Sequence, residues 1–187
     1  MSVQDEEAKQ NMALDITQLD AIIDKFMDYA RPGEVRLVPV NVAAIVEREA
    51  AAFRDTSQIR ITSKVAIDTL VLADNVELGR VFQNLFENAR RYGSSTDTGI
   101  ARVVVSYART GLWVIITVRD YGQGADPKKL DQLTTPFFRG DAARTAATGA
   151  GLGLAIVEKA VQRMGGAFEL ANATEGGLLA HVRLKKG

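Results

Sequence analysis

Two asparagines one helical turn apart, Asn84 and Asn88, occur with Glu87 and Arg91 in the stretch NLFENARRY, which ends at Tyr92. Spacings of three and four put these side chains along one side of a helix over about two turns. Asn is a poor helix former, so two of them in a well-patterned helix are a local cost that suggests a job. A neutral amide oxygen is a hard ligand that suits Mg²⁺, which prefers oxygen and keeps phosphate oxygens and waters in its shell. On this reading Asn84, Glu87 and Asn88 are the catalytic candidates, and either amide can serve as a metal ligand. Glu87 can orient or deprotonate a reacting group, and Arg91 can face phosphate. Taken alone, the same stripe also fits a solvated helix face.

Three further strings follow in order. Asp120 ends a β-rich run and is succeeded by Gly122 and Gly124. A carboxylate at the mouth of an apolar pocket accepts the exocyclic amino proton of adenine and rejects guanine's carbonyl at that position. The glycines let the backbone approach a flat ring and adopt positive φ. FFRGD supplies Phe137 and Phe138 as anchors of a movable cover, with Arg139, Gly140 and Arg144 able to reach phosphates when it closes. In GAGLGL, glycines 149, 151 and 153 alternate with Ala150 and Leu152, and Leu154 opens an apolar helix. Unpaired N–H groups at such a helix start can hold an anion. The terminal Lys-Ser/Thr of a P-loop is missing, and so is the strand-first context of a dinucleotide fingerprint. Each string alone also fits an ordinary turn.

Several elements must position these groups. Asp74, with Glu77 three residues on, reads as a capping box that opens a helix to about Tyr92. Its face of Leu78, Val81, Phe82, Leu85, Phe86 and Ala89 turns towards a sheet. Residues 101–107 and 113–118 read as a hairpin around Arg109, Thr110 and Gly111. A second helix is expected over about 152–164, ending at Gly165, with closing strands near 168–170 and 179–184. Upstream, Asn41 can cap a helix over about 42–53, followed by strands near 59–62 and 69–72. Residues 121–150 read as a functional loop with a short helical turn after Pro127. Ahead of all this, Ile16, Leu19, Ile22, Ile23, Phe26 and Met27 form a helical stripe that Arg31, Pro32 and Gly33 stop. Such a stripe packs on another helix, on a second copy of the chain, or back on its own domain.

The totals narrow the function classes. With 187 residues, 47% of them apolar, the chain can bury one core and carry an appendage. Lys plus Arg equals Asp plus Glu at 23 each, so no global field draws it to nucleic acid or an anionic membrane, and any phosphate site is local. Cysteine is absent, which removes disulfides, thiolate metal sites and thiol nucleophiles. The longest apolar runs fall far short of the roughly 20 residues of a spanning helix. No signal peptide is expected at the acidic N-terminus, and a soluble, cytoplasmic piece is the expectation.

Taken together the four strings resemble the catalytic and ATP-binding domain of two-component sensor histidine kinases, in the wider group with gyrase, HSP90 and MutL. The N box is matched by Asn84, Leu85, Asn88, Ala89, Arg91 and Tyr92, and the G1 box by Asp120, Gly122 and Gly124. Phe137 and Phe138 match the F box, and Gly149, Gly151, Leu152, Gly153 and Leu154 match the G2 box. NARRYG and FFRGDAART look most like the EnvZ type of osmosensor kinase. The resemblance spans about 38–186. It implies a two-layer α/β (α+β) sandwich of the Bergerat ATP-binding type, a mixed sheet of about five strands on three helices, preceded by a partial N-terminal helix. It also implies ATP and Mg²⁺ as cofactors. Asn88 would ligate the metal, Asp120 read adenine, Arg91 and Tyr92 flank base and phosphates, and Gly151 to Leu154 receive the phosphates. The γ-phosphoryl would pass to a histidine on a dimerisation and phosphotransfer domain, and from there to a response regulator receiver domain.

Departures from that pattern shape the expectations. The only histidine, His181, lies in an alternating strand and reads as a sheet residue, so no phosphoacceptor is present. Residues 1–31 look like the end of the second dimerisation helix and 32–187 like the catalytic domain, of a parent expected to be homodimeric and anchored in the inner membrane. Ala125 and Ala150 replace a larger aliphatic and a hydroxyl residue, which weakens base packing or one phosphate contact. A serine kinase of the anti-sigma type on the same fold, or a nucleotide-gated interaction module without catalysis, are the rival readings.

Overall fold

The computed structural model describes residues 3–31, 33–138 and 151–187. Helix α1 (Val3–Ala30) comes first, followed by strand β1 (Val38–Asn41) and α2 (Val42–Ala51). Asn41 caps α2, its side chain accepting from Ala44 N. Strands β2 (Ile59–Ser63) and β3 (Leu70–Ala73) lead into α3 (Asn75–Tyr92). The hairpin β4 (Ala101–Thr110) and β5 (Trp113–Asp120) follows, then a 3₁₀ turn at Leu130–Gln132, α4 (Gly153–Arg163), β6 (Ala167–Asn172) and β7 (Leu178–Lys185).

Five strands form one mixed sheet in the order β2-β4-β5-β7-β6, in which only β2 and β4 run parallel. Helices α2, α3 and α4 cover one face, as expected for a two-layer sandwich. The alternation of β5 and β7 sends Val114, Ile116, Val118, Ala180, Val182 and Leu184 into that layer. They meet the stripe of α3, where Leu78, Val81, Phe82 and Phe86 are fully buried. The other face carries Thr117, Arg119, His181 and Arg183, and the Nδ1 of His181 lies 2.9 Å from Thr117 Oγ1. His181 is thus a sheet residue, as its alternating strand indicated.

Three details differ from the expectation. The capping box is only half formed: Asp74 accepts from Val76 N and Glu77 N, but the Glu77 carboxylate turns to Arg80 and Arg163, both at 3.0 Å. Two guanidinium partners outcompete one backbone N–H for a buried carboxylate. Strand β1 was not expected, because a four-residue run holding Pro39 has no pattern of its own; it exists by pairing antiparallel with β3. Third, the hairpin turns at Gly111 and Leu112, with Arg109 and Thr110 inside β4. Gly111 takes φ +57, which a tight hairpin turn requires.

Helix α1 does not fold its apolar stripe onto the domain. Ile16, Leu19, Ile23, Phe26 and Met27 are all exposed. Only its last turns touch the body, through polar groups on the other side. Lys159 Nζ donates to Tyr29 O at 2.6 Å and stacks over the Tyr29 ring, and Arg163 donates to Arg31 O at 3.1 Å. No helix among the described residues is long and apolar enough to cross a membrane.

Candidate nucleotide site

Asp120 is the last residue of β5 and is 7% exposed. Its Oδ1 accepts from Gly122 N at 3.0 Å and Leu178 N at 3.1 Å, so the carboxylate is fixed by the loop that follows β5 and by the start of β7. Burial pushes its pKa up, and the two N–H bonds and Arg119 only partly oppose this. Backbone crowds it on every side. A Cβ on Gly93 would come 2.7 Å from Asp120 Cβ, one on Gly122 would fall 2.7 Å from Gly93 Cα, and one on Gly177 only 2.0 Å from Asp120 O. Gly177 also has φ +93, so glycine is required there twice over.

This packing brings the end of α3 against the end of β5. Asn88, Asp120 and Leu154 line one open cleft, floored by Leu85, Ala89, Val118, Leu178 and Ala180. An apolar floor with one amide and one carboxylate converging on it fits a flat heteroaromatic ring with a polar edge. Gly124, in the loop after β5, takes φ +74, and a Cβ there would meet Asn172. The Asn172 amide accepts from Ala125 N at 2.8 Å and donates to Ala125 O at 2.7 Å, which ties the loop after β5 to β6.

The remaining N-box residues fall into two groups. Asn84 is buried; its Nδ2 donates to Arg80 O at 2.9 Å, and its Oδ1 accepts from Lys25 Nζ of α1 at 2.9 Å. Glu87 accepts from Arg90 and Arg91, with Oε1 at 2.7 Å from each. Burial raises its pKa, but the guanidinium bonds outweigh this and hold it below the usual carboxylate range. Such a carboxylate is a weak base, so of its two expected roles the geometry supports orientation. Tyr92 is half exposed at the helix end.

At the glycine turn, Gly151 has φ +68, and a Cβ would lie 2.7 Å from Phe138 O. Its carbonyl accepts from Phe137 N at 3.0 Å, and Phe137 itself takes φ 63. Leu152 is buried and caps α4 without a side-chain bond, its carbonyl accepting from Ile156 N. Among the described residues nothing caps the N–H groups of the first turn, from Gly153 on, which can therefore face an anion. Gly153 is open on its Cα side: a Cβ there would find Asn84 Oδ1 nearest, at 3.6 Å. Arg139, Gly140, Arg144 and Ala150 lie outside the described residues.

Among the described residues no cluster of three His, Asp or Glu could hold a metal. A Mg²⁺ ion that takes one oxygen from Asn88 and the rest from phosphates and water fits this donor set. Gly93 and Gly177 pack on Asp120, Asn172 on the loop after β5 and Lys25 on Asn84, and the sequence reading named none of the four. Gly93 directly after the helix and the Gly176-Gly177 pair were visible as turn signals, but their contact with Asp120 is long-range.

Residues 73–187 match the family model described as histidine kinase-, DNA gyrase B-, and HSP90-like ATPase. The sensor protein RstB of Escherichia coli K12 is 32% identical over 182 residues, covering 91% of this chain and 40% of that protein. The chain thus spans well under half the length of the curated relatives it matches. The mycobacterial sensor histidine kinase MprB superposes with a TM-score of 0.65 at 28% identity, over 80% of this chain and 98% of that one. Full-length ShkA in complex with AMPPNP aligns over 100% of this chain and 40% of its own, with a TM-score of 0.78 at 20% identity.

Proposed function

Since this chain belongs to the histidine kinase-, DNA gyrase B-, and HSP90-like ATPase family, we propose that it is the catalytic part of a sensor histidine kinase. It binds Mg-ATP and donates the γ-phosphoryl to a histidine on a separate dimerisation domain. The observation that carries this reading is the single cleft shared by Asn88, Asp120 and Leu154 at the start of α4. The homology to whole sensor kinases supports a phosphotransfer domain and a response regulator as partners, and residues 1–31 as the end of the second dimerisation helix. By the same homology the parent protein is homodimeric and membrane-anchored, with this part on the cytoplasmic side.

In this scheme Asp120 accepts the adenine amino proton. Its Oδ1 already holds two N–H groups, so Oδ2 serves the ligand. Gly93, Gly122 and Gly177 let the backbone close around Asp120 and so hold its carboxylate at the cleft. The phosphates run towards Gly153, whose turn offers unpaired N–H groups, and Arg91 and Tyr92 flank them. Mg²⁺ on Asn88 would neutralise developing charge on the phosphates. Glu87 keeps Arg90 and Arg91 in place. In transfer, the bond from the γ-phosphorus to the β,γ-bridging oxygen breaks, a bond to the acceptor imidazole nitrogen forms, and ADP leaves with the electron pair. Positioning and charge neutralisation supply most of the catalysis in such reactions.

Calorimetric titration tests the reading. ATP and ADP should bind and GTP should not, and Asp120→Asn should lose about tenfold or more in ATP affinity, because the amide presents donors where adenine also donates. An unchanged affinity would remove Asp120 from base recognition. Asn88→Ala should abolish the gain in affinity that Mg²⁺ gives over EDTA; a surviving gain would place the metal on another residue.

A further inference from the structure

Lys25 is, among the described residues, the α1 side chain that reaches the N box. Its ammonium lies 2.9 Å from Asn84 Oδ1, and that is its one hydrogen bond among the described residues, of the three an ammonium can donate. It is partly buried there, which depresses its pKa, while Asp28 and Glu87 act to raise it and Arg91 and Arg80 to lower it.

The place is also defined along α3. Gly93, at the C-terminal end, packs on Asp120, the base-reading group. At about 1.5 Å per residue, Asn88 lies about 7 Å back from Gly93 along the axis and Asn84 about 13 Å back. A nucleotide laid from Asp120 past Asn88 thus points its outermost phosphate at Asn84. Asn84 Oδ1 in turn adjoins Gly153, where α4 begins with N–H groups that no side chain caps among the described residues. Two independent routes, along α3 from the base and across from α4, lead to the same ammonium.

We propose that Lys25 is a terminal-phosphate ligand carried into the nucleotide site by α1, so that a nucleoside triphosphate holds α1 docked and a diphosphate does not. The inference rests on the nucleotide reading above and adds to it a residue from outside the matched family region, which begins at 73. The amide of Asn84 positions the ammonium in the free protein, and the two remaining donors turn to phosphate oxygens when ATP is present. ADP ends short of them. Docking of α1 and binding of ATP then strengthen one another by the same factor, as linkage demands.

The test compares Mg-ATP and Mg-ADP on the full chain by calorimetry, for the parent sequence, Lys25→Met and Lys25→Arg. Lys25→Met should weaken ATP about tenfold, the loss of one charge-assisted contact, and shift ADP by less than about twofold. Lys25→Arg should recover most of the ATP affinity. Hydrogen exchange at 24–29 should be slower with ATP than with ADP, and equal for both nucleotides in Lys25→Met. Equal shifts for ATP and ADP, no shift for either, or tighter ATP binding would overturn the proposal, since a mere docking pin or a rival for the site would give those results. ADP binding that survives in Lys25→Met and fails in Asp120→Asn separates the two claims. Absence of all nucleotide binding in the parent chain would sink both.

Discussion

Asp120 shows how one residue sets stability against recognition. Burial raises its pKa, so the folded state favours the protonated form more than the unfolded chain does. A raised folded pKa contributes stability below the unfolded value and loses it as pH rises through the folded one. At neutral pH the ionised carboxylate is therefore a cost to the apo fold. Asn in its place keeps an oxygen for Gly122 N and Leu178 N, so Asp120→Asn should melt no lower than the parent at pH 7. In its proposed role, ligand recognition has the opposite sign, because the amino group of adenine needs the acceptor-only form. ATP affinity should begin to fall on acidification at a pH above the ordinary carboxylate range, and Asp120→Asn should be flat over that window. A titration series with ATP between neutral and mildly acid pH measures both. Asp120 was legible from its place at a strand end beside glycines. The three glycines packed on and around it were not all legible, since Gly93 and Gly177 reach it from 27 and 57 residues away along the chain.

Among the elements, α3 was the easiest to read. Its apolar positions repeat strongly and its first turn is marked by Asp74, and both ends fall within a residue of expectation. Burial alone would raise the pKa of Asp74, but bonds from Arg36, Glu77 and Val76 N–H groups hold it down. Its stabilising effect is thus present above the unfolded pKa and fades as pH falls through the folded one. Asp74→Ala should cost about 1 to 2 kcal/mol at pH 7, with less difference in acid, as read from urea denaturation midpoints. Strand β1 and the Asn172 clamp stayed hidden for a common reason. Each is specified by a partner distant in sequence, β3 for one and Ala125 for the other, and neither leaves a local period. The capping box looked complete from spacing because spacing says nothing of Arg163, which arrives from α4 to claim Glu77.

At the scale of the whole molecule, the catalytic body closes its own core while α1 leaves an apolar stripe in water. Met12, Ile16, Leu19, Ile23, Phe26 and Met27 are each exposed by about half or more, a pattern that isolated helices in water do not sustain. The chain should self-associate through this face. Analytical ultracentrifugation should show a concentration-dependent dimer, and Ile16→Lys with Ile23→Lys should leave a monomer with unaltered ADP affinity. The stripe itself was plain in the sequence, but which of its possible neighbours covers it is a matter between chains rather than within one.

The way α1 is held has a further consequence. Lys159 and Arg163 both grasp main-chain oxygens, those of Tyr29 and Arg31, where a helix runs out of internal donors for its last carbonyls. Such a grip recognises that a helix stops here and is largely indifferent to which letters spell it. Drift in the composition of α1 away from Lys25 and the apolar stripe should be forgiven, whereas lengthening it by even one turn would carry the clasped terminus out of reach.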